Sequence, residues 1–105
     1  MTSERNKTKQ RKLKTIKGTA KVRQMTSPRT YNPVANQFEI WDSKGYYFQS
    51  YRSIIYFVCS KTGKKYLDFN TWDYSATTGK YRNEILGEGI AETRKKIESG
   101  EYIHI

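Results

Sequence analysis

The chain holds one cysteine and one histidine, Cys59 and His104, and these are the first residues to test for chemistry. A nucleophilic thiol needs a base within hydrogen-bond reach. Cys59 closes the apolar run Ile54-Ile55-Tyr56-Phe57-Val58-Cys59, which reads as a buried strand and makes the thiol a small core hydrophobe. A single cysteine forms no internal disulfide. Asp68 and Asp73 fit a turn and a helix cap as readily as a pair of catalytic carboxylates. No His, Cys, Asp and Glu residues have the spacing of a metal site. The expectation is therefore no enzyme, no catalytic residue, no metal and no cofactor.

Binding is a different matter, because the cations are unevenly placed. Residues 1–33 hold ten Lys/Arg against one acid, Glu4, while residues 34–105 hold ten against nine. A polycation of this kind binds phosphate backbones by releasing their counterions. Its candidate contacts are Lys9, Arg11, Lys12, Lys14, Lys17, Lys21 and Arg23. A second candidate is the block Trp72 to Asn83. Hydroxyls at a helix start, Ser75, Thr77 and Thr78, followed by Lys80, Tyr81 and Arg82, suit a phosphate cradle, since free N–H groups and the helix dipole both attract an anion. The same residues also suit a capping cluster with a solvated basic face. Gly79-Lys80 is not a nucleotide-triphosphatase loop, which needs Gly where Tyr74 stands and Ser or Thr where Tyr81 stands. A third candidate interleaves Tyr46, Tyr47, Phe48, Tyr51 and Arg52, as single-strand stacking platforms do; alternate residues of that run also serve as core.

These residues need elements to position them. Composition makes residues 1–33 a disordered basic arm, too poor in apolar groups to offset an ordering cost of roughly 1–2 kcal/mol per residue. Pro28 and Pro33 mark its end. Residues 34–105 read as a compact β-rich α+β domain: an antiparallel four-stranded meander followed by one or two short helices. Asp42-Ser43-Lys44-Gly45 and Ser60-Lys61-Thr62-Gly63 read as hairpin turns with positive φ at both glycines. The segment Ser75 to Leu86 reads as a helix, with Thr78, Tyr81, Ile85 and Leu86 at helical spacing, Tyr81 and one or both of Ile85 and Leu86 on its inner face, and Gly87 as its stop. A second helix is expected from Ile90 to Glu98 with Ile90, Arg94 and Ile97 inward, and Glu101 to Ile105 alternates weakly, as a last strand would. The longest apolar run is far short of the roughly 18–20 residues of a membrane span. The N-terminus lacks the apolar stretch of a secretory signal. A bacterial cytoplasmic location is expected.

The stretch from Phe48 to Gly100 resembles a group of small proteins encoded by bacteriophages and mobile elements of Gram-positive bacteria. The resemblance rests on Gln49-Ser50-Tyr51, Ile54-Ile55-Tyr56-Phe57, Tyr66-Leu67-Asp68, Leu86-Gly87 and the block Trp-Asp-Tyr-Ser-x-Thr-Thr-x-Lys-Tyr-Arg-Asn over residues 72–83. The group is a domain of unknown function, so the resemblance implies an origin and a compact fold but no activity. The reading that follows is a nucleic-acid-binding accessory protein of a phage or mobile element, with mainly non-specific phosphate contacts to DNA or RNA. The alternative is a protein-interaction module that inhibits or redirects a host enzyme, which the nearly neutral domain favours. A homodimer is compatible with the surplus of aromatics, and no membrane partner is expected.

Overall fold

The computed structural model describes residues 20–105. Six strands form one sheet in sequence order: β1 (Lys21–Thr26), β2 (Pro33–Asp42), β3 (Gly45–Ser50), β4 (Ser53–Cys59), β5 (Lys65–Leu67) and β6 (Tyr102–His104). The first five pair antiparallel, and β6 joins β5 in parallel. Two helices, α1 (Ala76–Leu86) and α2 (Ile90–Ser99), carry the chain from β5 to β6. The expected four-strand meander is present as β2 to β5. It is extended by a strand at each edge.

The strand at the first edge corrects the boundary read at residue 33. Lys21 to Thr26 pairs with β2, register Arg23↔Glu39 and Gln24↔Phe38. Low apolar content concealed it, because a strand needs only alternate residues inward. Here Met25 is the inward residue, only 5 % exposed, while Arg23 lies on the same face with its side chain largely exposed, its Nε donating to Glu39 Oε1 at 2.9 Å. Glu39 is itself buried and accepts from the Tyr46 hydroxyl at 2.6 Å. The rest of the expected arm, residues 1–19, lies outside the described residues.

Turn chemistry fixes the meander register. Asp42 Oδ1 accepts from the N–H groups of Lys44 and Gly45, and Asp42 pairs with Gly45, leaving Ser43-Lys44 as a two-residue loop. Gly63 has φ +75°, the left-handed value expected there. Gly45 also has the positive φ expected, +154°, though more extended than Gly63. It is glycine because a Cβ there would lie 1.9 Å from the Val58 carbonyl oxygen. Gly45→Ala is therefore expected to lower stability by more than about 1 kcal/mol. Gly63→Ala meets open space and is expected to cost about 1 kcal/mol for its backbone alone. Urea titrations of the two variants give the ranking; equal losses would contradict it.

The sheet has one covered face. Phe48 pairs with Tyr56 and Gln49 with Ile54, so Ile55 is an extra residue, a bulge that turns both Ile55 and Tyr56 inward. Met25, Phe48, Ile55, Tyr56, Leu67, Tyr81 and Tyr102 form the core, with Trp72, Ile85, Leu86 and Ile97 packed against it. Ser75 caps α1, its side chain accepting from Thr78 N, and Gly87 ends it in the left-handed region. On α2 the buried residue is Thr93; Arg94, expected inward, is exposed, because Thr93 bonds Gly89 O and Glu88 while Arg94 reaches out to Asp73.

Glu88, between the helices, fastens α2 and β6. Its carboxylate accepts from Lys96 Nζ at 2.7 Å, Thr93 Oγ1 at 2.7 Å and the Tyr102 hydroxyl at 3.0 Å. Burial alone would raise its pKa, but these bonds from Lys96, Thr93 and Tyr102 outweigh it and hold the pKa below the usual carboxylate value. A lowered folded-state pKa gives stability that is present above the unfolded pKa and lost as pH falls through the folded one. Glu88→Gln is thus expected to cost on the order of 1–3 kcal/mol at pH 7. That gap from the parent should close as pH drops below 4, about the unperturbed carboxylate pKa. Unfolding curves at pH 7 and pH 3 measure it; a gap that widens in acid would be the wrong sign.

Candidate nucleic-acid interface

The helix block and the sheet's two ends place the candidate residues very differently. Around α1 the block 72–83 turns inward. Thr78 is fully buried and shares a 2.7 Å hydrogen bond with Ser50 of β3. Tyr81 is 4 % exposed and belongs to the core. Arg82, 1 % exposed, donates through Nη1 to the Trp72 carbonyl at 2.5 Å and through Nη2 to Asn83 Oδ1 at 2.9 Å. It lies 3.6 Å from Asp73 Oδ1, and its guanidinium sits over the Trp72 ring at 5.3 Å. Burial pulls its pKa down and Asp73 pulls it back up.

The sequence reading of a phosphate cradle at Thr78, Tyr81 and Arg82 is therefore corrected: all three are buried, Thr78 bonded to Ser50, Arg82 to Trp72 O and Asn83, and Tyr81 packed in the core. A carboxylate also stands where an anion would dock, since Asp73 is flanked by Arg82 and, at 3.2 Å, Arg94. Ser75, Thr77 and Lys80 remain exposed, but Ser75 is engaged as the cap. Arg23 is paired with Glu39, and Lys21 is exposed at the start of β1. Lys9, Arg11, Lys12, Lys14 and Lys17 lie outside the described residues.

Lys21 and three lysines that sequence reasoning passed over gather at one end of the sheet. Lys21 pairs with Trp41 beside the β2–β3 turn, which carries Lys44; Gly45 pairs with Cys59 beside the β4–β5 turn, which carries Lys61 and Lys64. All four lysines are exposed. The two turns are bonded to each other, Ser60 N to Lys44 O at 2.9 Å and Ser60 Oγ to Ser43 O at 3.1 Å. Because β1 starts here, the chain preceding Lys21, with seven Lys/Arg against one acid over residues 1–19, enters the fold at this same end. Nothing in the sequence marks the coincidence; it arises from strand register.

The sheet's second face holds the aromatics that alternate out of the core. Register places Val22, Phe38, Ile40, Tyr47, Phe57, Tyr66 and Ile103 on it, and α1 and α2 pack on the opposite face. Tyr47, Phe57 and Tyr66 form a row across β3, β4 and β5, with ring centroids 4.8 Å and 5.8 Å apart. Of the expected platform residues, Tyr47 is on this face, Tyr46 and Phe48 face the core, and Tyr51 and Arg52 form the β3–β4 turn.

Fold and surface together define a two-layer α+β domain: helices on one side of a mixed six-stranded sheet, an aromatic face on the other, and a basic end where the N-terminal segment enters. The chain belongs to a family of unknown function, DUF8033, whose model matches residues 20–102. That match begins next to β1, in agreement with the strand boundary. No curated protein and no solved structure matches the chain. No helix among the described residues is long and apolar enough to cross a membrane.

Proposed function

We propose that this chain is a nucleic-acid-binding accessory protein, of the phage or mobile-element kind that its Trp72–Asn83 block resembles. The observation that carries the reading is the basic end: Lys21, Lys44, Lys61 and Lys64 stand where a segment of seven further cations enters the sheet. The described domain itself carries thirteen Lys/Arg against nine acids, and the acids Glu39, Asp73 and Glu88 are engaged by its own arginines, lysine and hydroxyls. At the basic end four exposed lysines stand against one turn carboxylate, Asp42, and phosphate is the ligand that such an excess recognises without regard to sequence.

Titration of labelled duplex and single-stranded DNA and RNA with the whole chain, over a series of salt concentrations, is the test. A log–log slope of about −0.7 to −0.9 per neutralised phosphate is expected. No binding at low salt would end the reading. The aromatic face favours a second one, a protein partner laid on Phe38, Ile40, Tyr47 and Tyr66, whose affinity would change little with salt.

A further inference from the structure

We propose that the aromatic face of the sheet is the contact between two copies of this chain, packed face to face about a two-fold axis that crosses β5 at Tyr66. The inference does not depend on the nucleic-acid reading. Strand register sets Val22, Ile40, Tyr47, Phe57, Tyr66 and Ile103 in one unbroken row across all six strands. Both helices pack on the opposite face, while Val22, Ile54 and Ile105 stay 64 %, 41 % and 65 % exposed on this one. The face is about 24 Å across its strands and about 20 Å along them, so two copies together bury close to the roughly 1,000 Å² that a specific interface needs.

A second copy is the occupant because β5 carries both halves of a self-complementary contact. Lys64, Tyr66 and Asp68 share the outer face, since the intervening Lys65 and Leu67 face inward with their partners Val58, Tyr56 and Tyr102. A notch of about 160 Å³ lies beside the β4 bulge, its lining including Ile54, Phe57, Tyr66, Ile105 and one acid, Asp68. Apolar walls with a single carboxylate suit a lysine, whose methylene stem packs on carbon while its ammonium meets the acid. Lys64 and Asp68 each stand two residues from Tyr66, about 7 Å along the strand. A two-fold axis at Tyr66 therefore lays Lys64 of each copy over the partner's Asp68. The same axis sends the basic ends to opposite poles, each keeping Lys21, Lys44 and Lys61 in the open. An axis along the strands would instead superpose those ends, like charge on like.

The experiment is sedimentation equilibrium of the whole chain, free of nucleic acid, over a concentration series that starts in the low micromolar range. The mass is expected to rise from 12.4 kDa toward twice that value. Ile54→Lys alters an exposed side chain and spares the fold, but it sets an ammonium in the apolar contact and should weaken the dimer by at least about tenfold. Lys64→Asp turns two symmetry-related attractions into repulsions and should weaken it about tenfold; adding Asp68→Lys should restore it. Asp68→Asn keeps the acceptor that the Thr71 hydroxyl uses, so it folds as the parent does, and should alone weaken the dimer about threefold. A chain that stays monomeric throughout would overturn the proposal and leave the face to a different protein. A dimer that withstands Ile54→Lys, or one that is indifferent to both Lys64→Asp and Asp68→Asn, would overturn it as well. With no nucleic acid in the cell, none of these results bears on the nucleic-acid reading.

Discussion

Removing residues 2–19 should lower affinity for every nucleic acid by two or more orders of magnitude at about 50 mM salt. It should also flatten the salt dependence. The segment carries seven Lys/Arg and one acid. With a contribution of about −0.7 per phosphate for single strands and −0.9 for duplex, the log–log slope should lose up to about 5 and 6 units respectively. Loss should be uniform across sequences, since phosphate contacts carry no base information. Binding left in the shortened chain should come from Lys21, Lys44, Lys61 and Lys64. The cut must stop before β1: a deletion reaching residue 30 would remove Met25 from the core and the Arg23–Glu39 pair with it. An unchanged slope after the shorter deletion would move the whole site into the folded domain.

The second large effect is on stability, at a residue that looked like a ligand contact. Arg82→Ala should destabilise the fold by about 3–5 kcal/mol, because Asp73, the Trp72 carbonyl and the Trp72 ring all lose a buried partner together. Arg82→Lys should recover only part of this. A lysine cannot fork to Trp72 O and Asn83 Oδ1 while keeping its charge over the indole. By contrast Lys80→Ala, at an exposed position two residues earlier, should stay within about half a kcal/mol of the parent. Guanidinium unfolding of the three variants decides it. A surface role for Arg82 in binding phosphate would give the reverse pattern: affinity lost and stability kept.

The contrast between Lys80 and Arg82 shows what the sequence conveyed and what it withheld. Turn and cap residues act locally, so Asp42, Gly63, Ser75, Gly87 and Gly100 marked the meander and both helices within a residue or two. Tyr81 and Ile85 were legible as a helix face for the same reason. Arg82 was not, because a cation in a helix is ordinarily solvated, and its burial depends on Trp72 and Asp73 arriving from ten residues away. A usable signal did exist: Arg82 is four residues after Thr78, on the same face. The strand β1 was hidden for a related reason: Met25 is its one buried residue, and the partner of its exposed Arg23 is Glu39 on the neighbouring strand. The basic end was out of reach altogether. Lys21, Lys44, Lys61 and Lys64 are scattered in the sequence and become neighbours only once hairpin registers are known.

One feature of the topology bears on how the chain acquires its shape. Strands β1 to β5 lie in the sheet in the order in which they are made, each joined to its predecessor by a short connection. Every early pairing is therefore local, and local pairings form fastest. Only β6 departs from this pattern. Leu67 meets His104, and Lys65 meets Tyr102, after both helices have intervened. During synthesis the meander can consequently assemble as its residues emerge, while the free edge of β5 waits. Leu67 and Tyr56 stay partly uncovered until Tyr102 arrives with the Glu88 bonds that fasten it. The closing of this last edge is therefore the expected late step of folding, and until then the exposed β5 edge is where a nascent chain would be open to mispairing with another.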